Sequence, residues 1–417
     1  MSAGQGGRRR FRIALLTSSA LVAGVMAAPP PARAGSSSIA IGGYFQGYFV
    51  TNSDQDGIVN GQAQPGYGLR NYAIFRRSRI EFAALAELDN GLKAGFTVQL
   101  RGEAHTTDQI EGAFAHFTGD FGRAEIGKTF SAAYKMFYGA PTPIPGLGAN
   151  SPNMMTAVLP SGNFASSPVS YINFGPGFMY DRMEKVSYFS PRVAGFQFGA
   201  SYTPNNCMIG SVPAGNPNSQ YYCSIGNSLA RADLPGGQQD IVEAGVNYVR
   251  DYGGGTTVGA YVGGGMARLS AQQYANANMR NQSQIGLGAS VTWAGWTFGA
   301  DYRLNNLGNK YGGIDATGAA IDLPKTQTDW QVGATYGFGS WVLGFQYHDT
   351  TANVRTAANT AAGDDRLRML SVGGTYALGP GIQLASGIQA FKATSYTGQP
   401  ANQNRGWNFV LGTNLSF

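Results

Sequence analysis

Residues Gln284 to Asn305 read QIGLGASVTWAGWTFGADYRLN. In the first half Ile285, Leu287, Ala289, Val291 and Trp293 alternate with Gln284, Gly286, Gly288, Ser290 and Thr292. In the second half Trp296, Phe298, Ala300, Tyr302 and Leu304 alternate with Thr297, Gly299, Asp301, Arg303 and Asn305. Successive side chains of a strand point to opposite faces, so each half has one apolar face and one polar or glycine face. Ala294-Gly295 between the halves has the chemistry of a tight hairpin turn. A soluble sandwich shows similar alternation. It does not usually set Trp, Tyr and Phe so regularly at strand ends, where the aromatic girdles of membrane proteins sit.

The template extends along the chain. Trp341, Leu343, Phe345 and Tyr347 alternate with Gly344, Gln346 and His348. At the end, Trp407, Phe409, Leu411, Leu415 and Phe417 share one face, interrupted by Thr413, and Asn408, Gly412, Asn414 and Ser416 share the other. Sixteen segments read as strands: 39–50, 71–86, 92–102, 109–119, 123–128, 183–190, 195–203, 239–250, 256–267, 281–293, 296–306, 327–338, 341–350, 366–378, 382–393 and 404–417. Tight connections fall at Asp89-Asn90-Gly91, Asp120-Phe121-Gly122, Pro191 to Gly195, Asp251 to Gly255, Ala294-Gly295, Gly339-Ser340 and Gly379-Pro380-Gly381. Between them lie mostly longer, polar links at 51–70, 103–108, 129–182, 204–238, 268–280, 307–326, 351–365 and 394–403. Short turns on one rim and long loops on the other predict an all-β chain, a transmembrane antiparallel β-barrel of 16 strands with an aqueous lumen. An even count places both termini at the short-turn, periplasmic rim.

The stretch 129–182 does not alternate. Ser131 to Phe137 allows a turn or two of helix, and then Pro141, Pro143, Pro145, Gly146 and Gly148 forbid both helix and central strand. A loop this long inside a compact domain is a functional element, here a loop folded into the mouth of something hollow.

Composition agrees. Charged residues make up 12%, against about 25% in ordinary domains. Glycine (61) and Tyr plus Phe (22 and 23) are abundant. Residues 1–34 read as a cleaved signal peptide: Arg8, Arg9, Arg10 and Arg12, then apolar Ile13 to Ala28, then Ala32-Arg33-Ala34. The expected mature domain is 35–417. Five of the 29 basic residues leave with the leader, so 24 remain against 23 acids. That near-neutral balance gives no footprint for nucleic acid. Beyond the leader no apolar run is long enough for a membrane helix.

Four segments occur in order: Arg79-Ile80-Glu81-Phe82; Leu88-Asp89-Asn90-Gly91-Leu92-Lys93-Ala94-Gly95-Phe96; Ala113 to Gly122 leading to Ile126-Gly127-Lys128; and a terminal strand ending in Phe417. This ordered set resembles the general, non-specific porins of Gram-negative bacteria, of the alphaproteobacterial type. The resemblance implies a homotrimer of sixteen-stranded barrels in the outer membrane, each with its third extracellular loop inside. Residues 129–182 follow the fifth strand and take that loop's place. Two features depart from the family pattern. Loop 103–108 is short for a latch onto a neighbouring subunit, and 129–180 holds no Asp or Glu, where that loop is usually acidic.

Strand parity places Arg77, Arg79 and Glu81 on the lumen face of the second strand, and Lys93 and Arg101 on that of the third. Glu111, Glu125 and Lys185 are lumen candidates on strands four, five and six, and Lys135 is the loop's charge. Charges lining a pore set its ion preference. A basic wall facing an acid-free loop predicts a mild preference for anions. Arg76 and Lys128 fall on the outer parity, where charge suits a subunit contact better than lipid.

Other patterns carry less. Cys207 and Cys223 share one long link, and export favours a disulfide over two free thiols. Gly122 to Thr129 matches the P-loop spacing, but its middle reads as a strand. Asn52, Asp54 and Asp56 open like a calcium loop whose twelfth position is Ala63, so a weak calcium contact stands against a solvated turn. His105, His116 and His348 show no metal spacing. The reading is a passive channel for small hydrophilic solutes and ions, without enzyme activity, cofactor or nucleic-acid partner. Rivals are a sugar-selective channel using Tyr134, Phe137 and Tyr138, a barrel enzyme, and an adhesin.

Overall fold

A computed structural model describes residues 34–54, 58–59, 62–63, 72–102, 109–147, 182–205, 208–209, 222–223, 238–269, 281–307, 313–314, 320–321, 323–356, 361–394, 396 and 403–417. Sixteen antiparallel strands form one closed barrel. They are β1 (Ala34–Asp54), β2 (Tyr72–Leu88), β3 (Lys93–Arg101), β4 (Ile110–Gly119), β5 (Gly122–Thr129), β6 (Met183–Phe189), β7 (Phe196–Asn205) and β8 (Gln238–Gly253). Then come β9 (Thr256–Leu269), β10 (Gln282–Trp293), β11 (Trp296–Asn306), β12 (Leu323–Phe338), β13 (Trp341–Arg355), β14 (Ala361–Gly379), β15 (Ile382–Thr394) and β16 (Gln403–Ser416).

Each strand pairs with its sequence neighbours, and β16 closes on β1 from Tyr44 opposite Ser416 to Asp54 opposite Gly406. Phe417 completes the seam: its N–H donates to the Gly43 carbonyl (3.0 Å) and its carbonyl accepts from the Gly43 N–H (3.1 Å). The Ala294-Gly295 turn is left-handed at both residues, φ 49° and 86°, the geometry that matches strand twist in a two-residue hairpin.

The faces are inverted relative to a soluble protein. Leu287 is 52% exposed on the outer face, whereas Arg303 is 2% exposed on the inner one. Gln284, Asp301, Gln346, Gln389 and Asn408 are likewise buried inside. Aromatic rings edge the outer surface at the turn rim, where Trp296 lies 4.6 Å from Tyr336 and Trp341 4.7 Å from Tyr376. Trp330 and Tyr347, 5.1 Å apart, mark the opposite edge.

All sixteen expected strands are present, but several run past their expected ends on the long-loop side. β13 reaches Arg355 rather than residue 350, and β14 starts at Ala361 rather than 366. Alternation reports contrast between lipid and water. Beyond the lipid both faces are wet, so the pattern fades while the hydrogen-bond ladder continues. The P-loop-like segment is β5 in full, paired on both sides. Residues 1–33, loop 103–108 with His105, Asp56 and Cys207 lie outside the described residues, as do the side chains of Asn52, Asp54 and Cys223.

The face assignment predicts an asymmetry. Leu287→Arg, on the outer face, is expected to cost about 2–4 kcal/mol of folding free energy in vesicles, whereas Thr257→Arg, on the part-exposed inner face near the turn, costs under about 1. Urea titration of both variants in lipid vesicles checks this. Equal costs would reverse the face assignment.

Candidate functional site

Past β5 the chain turns inward. Ser131 caps a one-turn helix α1 (Ala132–Lys135), its Oγ accepting from the Tyr134 N–H at 3.3 Å. Three prolines then remove backbone donors and forbid further helix. The backbone of 130–147 instead finds inward-facing side chains of the wall. The Ala132 N–H donates to Ser201 Oγ on β7 (2.7 Å), and Asn247 on β8 donates to the Met136 carbonyl (3.0 Å). The Ala140 N–H donates to Asp301 Oδ2 on β11 at 2.9 Å. Gln389 on β15 donates to the Leu147 carbonyl (2.6 Å), and the Tyr48 hydroxyl on β1 to the Pro145 carbonyl (2.6 Å). The segment thus follows the inner wall from β7 round to β1.

Glycines make room for it. A Cβ at Gly288, Gly299 or Gly333 would strike the carbonyl oxygens of Tyr138, Gly139 and Pro141. One at Gly199, Gly259 or Gly387 would strike the side chains of Met136, Tyr138 and Ile144. Apolar anchors pin both ends. Ala132 and Met136 pack with Phe189 and Tyr261, and Ile144 and Leu147 with Tyr48, Val50, Ala385 and Val410. Phe137 meets Tyr261 edge-on (5.6 Å) and Tyr138 lies against Gly259, whereas Tyr134 stacks on Phe130 (4.0 Å).

The charges gather at the root of this segment. Glu111 is the centre of the first cluster. Arg79 donates to it through Nε at 2.7 Å, Arg101 at 2.8 Å and Arg182 at 2.7 Å, and Arg77 lies 3.8 Å away. The Arg182 guanidinium also lies over the Phe130 ring, 3.9 Å from its centre. Four cations around one carboxylate leave an excess of positive charge. In the second cluster Glu125 accepts from Arg123 (2.8 Å) and from Lys135, whose ammonium also faces the Phe114 ring at 4.6 Å. Burial lowers the Lys135 pKa, and Glu125 opposes that shift. Lys185 is buried beside this root and donates to the Thr129 carbonyl at 2.6 Å.

Glu111 reaches the cluster through an irregularity. Gln99 pairs with Gly112 but Leu100 with Ile110, so Glu111 falls in a bulge. Counted strictly from inward-facing Phe114 it would point outward. Glu81 sits one step away on β2, held by Gln99 at 2.7 Å. Lys93 is not part of the constellation: it pairs with Glu87 at 3.5 Å beside the turn, both half-exposed. Being at a strand's first residue puts it on the rim, which parity alone does not reveal. Arg123 and Arg182 were not among the sequence candidates. Arg123 shares its face with Glu125, a parity signal that would have found it. Arg182 precedes β6 and carries no strand parity. Among the described residues no group of His, Cys, Asp and Glu has the arrangement of a metal site.

The family model of the Gram-negative porins matches residues 17–395. The chain belongs to the Gram-negative porin family. No curated protein matches the sequence. Solved structures agree in fold at low identity. An anion-selective porin from Comamonas acidovorans is 15% identical, with a TM-score of 0.55 over 92% of this chain and 100% of that one. The Salmonella typhi OmpF complex with daunomycin is 13% identical, with a TM-score of 0.58 over 91% and 97%. The trimer form of Vibrio cholerae OmpT is 13% identical, with a TM-score of 0.54 over 92% and 100%. This porin is therefore an outer-membrane channel and not an enzyme.

Removing the hub carboxylate leaves four guanidinium groups facing one another. Glu111→Gln is expected to cost about 3 kcal/mol of stability. Urea unfolding of the refolded variant in micelles checks it, and an unchanged midpoint would mean that Glu111 does not hold the cluster together.

Proposed function

We propose that this porin is a passive diffusion channel for small hydrophilic solutes and ions, narrowed by loop 129–182 and mildly anion-preferring. The observation that supports the preference is the Glu111 cluster. Four arginines surround one carboxylate beside a segment whose described part, 130–147, contributes Lys135 and no acid. Guanidinium groups lining a pore lower the electrostatic barrier for anions and raise it for cations. Passage needs no cofactor and no energy source beyond the solute gradient.

Three further readings go with this one. The mature form is a single barrel domain, 35–417, freed of its leader, with Cys207 and Cys223 joined in an outer loop. The working unit is a homotrimer. Arg76, Lys128 and Glu184 support it, since they occupy outward positions where lipid would be a costly neighbour. Arg76 donates to the Gly102 carbonyl just past β3 (3.0 Å), and Lys128 to that of Ile110 on β4 (2.8 Å).

Zero-current potential in a planar bilayer under a KCl gradient tests the preference. The expected potential lies on the chloride side, and Arg77→Gln/Arg79→Gln/Arg101→Gln moves it toward zero or beyond. A wild-type potential on the potassium side would overturn the anion reading and leave the channel standing.

A further inference from the structure

Flat groups stack in a column where the segment 130–147 leaves the wall. Tyr134, on α1, lies on Phe130, just past β5, with ring centres 4.0 Å apart and planes within 18°. The Arg182 guanidinium covers Phe130 at 3.9 Å from the ring centre. Both rings are half-buried, so part of each faces open space.

The guanidinium end of this column is joined to the Glu111 hub. Arg182 and Arg101 donate to the same carboxylate oxygen, Glu111 Oε1, at 2.7 and 2.8 Å, which brings Arg101 close to the stacked rings. Arg101 is the most open of the four arginines, its side chain 34% exposed against 5% for Arg182. On the far side of the hub the Arg79 guanidinium lies 5.3 Å from the centre of the Tyr44 ring, and Tyr44 is also half-buried. The excess positive charge is thus bordered by aromatic surface on two sides.

A chloride ion gains nothing from these rings. A planar solute with a carboxylate at its edge uses both parts: the guanidinium fork takes the carboxylate oxygens, and the ring packs against the aromatic surface. We propose that this constriction selects aromatic carboxylates among small anions, with Arg101 receiving the carboxylate and the Phe130–Tyr134 stack receiving the ring. The inference rests on the anion reading above and adds a solute class to it.

The test is titration of single-channel KCl current in a planar bilayer with three probes: 4-hydroxybenzoate, the saturated 4-hydroxycyclohexanecarboxylate, and neutral 4-hydroxybenzyl alcohol. The aromatic acid is expected to block the current with an apparent Kd about fivefold below that of the saturated acid, and the alcohol not to block at equal concentration. Tyr134→Leu is expected to lose most of that margin, and Tyr134→Phe to keep it. Equal Kd for the two acids, equal block by the alcohol, a margin kept by Tyr134→Leu or one lost by Tyr134→Phe would each overturn the proposal. The zero-current potential of the same channels separates the two claims. A chloride-side potential with equal binding of both acids sinks the aromatic preference alone, and a potassium-side potential sinks the anion reading beneath it.

Discussion

Every backbone N–H and C=O inside a bilayer must be paired within the protein, because hydrocarbon offers no partner. The seam between β1 and β16 meets that demand, and the rest of the molecule depends on it. Once the sheet closes there is no free edge, the apolar face turns to lipid, and the polar face encloses the lumen. The buried glutamines and asparagines of the inner wall follow from closure and are not anomalies.

The same rule governs the segment 130–147, which leaves the ladder. Its carbonyls and N–H groups need other partners, and the inner wall supplies them from Ser201, Asn247, Asp301, Gln389 and Tyr48. Prolines 141, 143 and 145 reduce the number of donors to be satisfied. Wall glycines let backbone approach backbone, so the abundance of glycine reflects a seat cut into the wall as well as tight turns. The charge clusters stand where this segment leaves β5 and where the chain returns at β6. The hub at Glu111 ties three wall arginines on β2 and β3 to Arg182 at that return.

Much of this was legible in the sequence. Alternation between Gln284 and Asn305 gives strand type and facing together, and Ala294-Gly295 gives the turn. Parity placed Arg77, Arg79 and Arg101 on one wall, and the structure brings them to a common carboxylate. Parity fails where the ladder slips or ends. The bulge at Glu111 turns a side chain that strict counting from Phe114 sends outward, Lys93 sits on the rim, and Arg182 belongs to no strand. Neighbours that meet only through closure, such as Tyr48 with Pro145, leave no local trace in the chain.

The central claim is that 130–147 lines the path of conduction, and chemical block of a single channel tests it most directly. Thr142 is exposed on this segment. In a background with Cys207→Ser and Cys223→Ser, Thr142→Cys supplies one thiol for a bulky, charged reagent added during planar-bilayer recording. A stepwise fall in conductance as each channel is labelled is the predicted result. Complete labelling, verified by mass, with conductance unchanged would contradict the account.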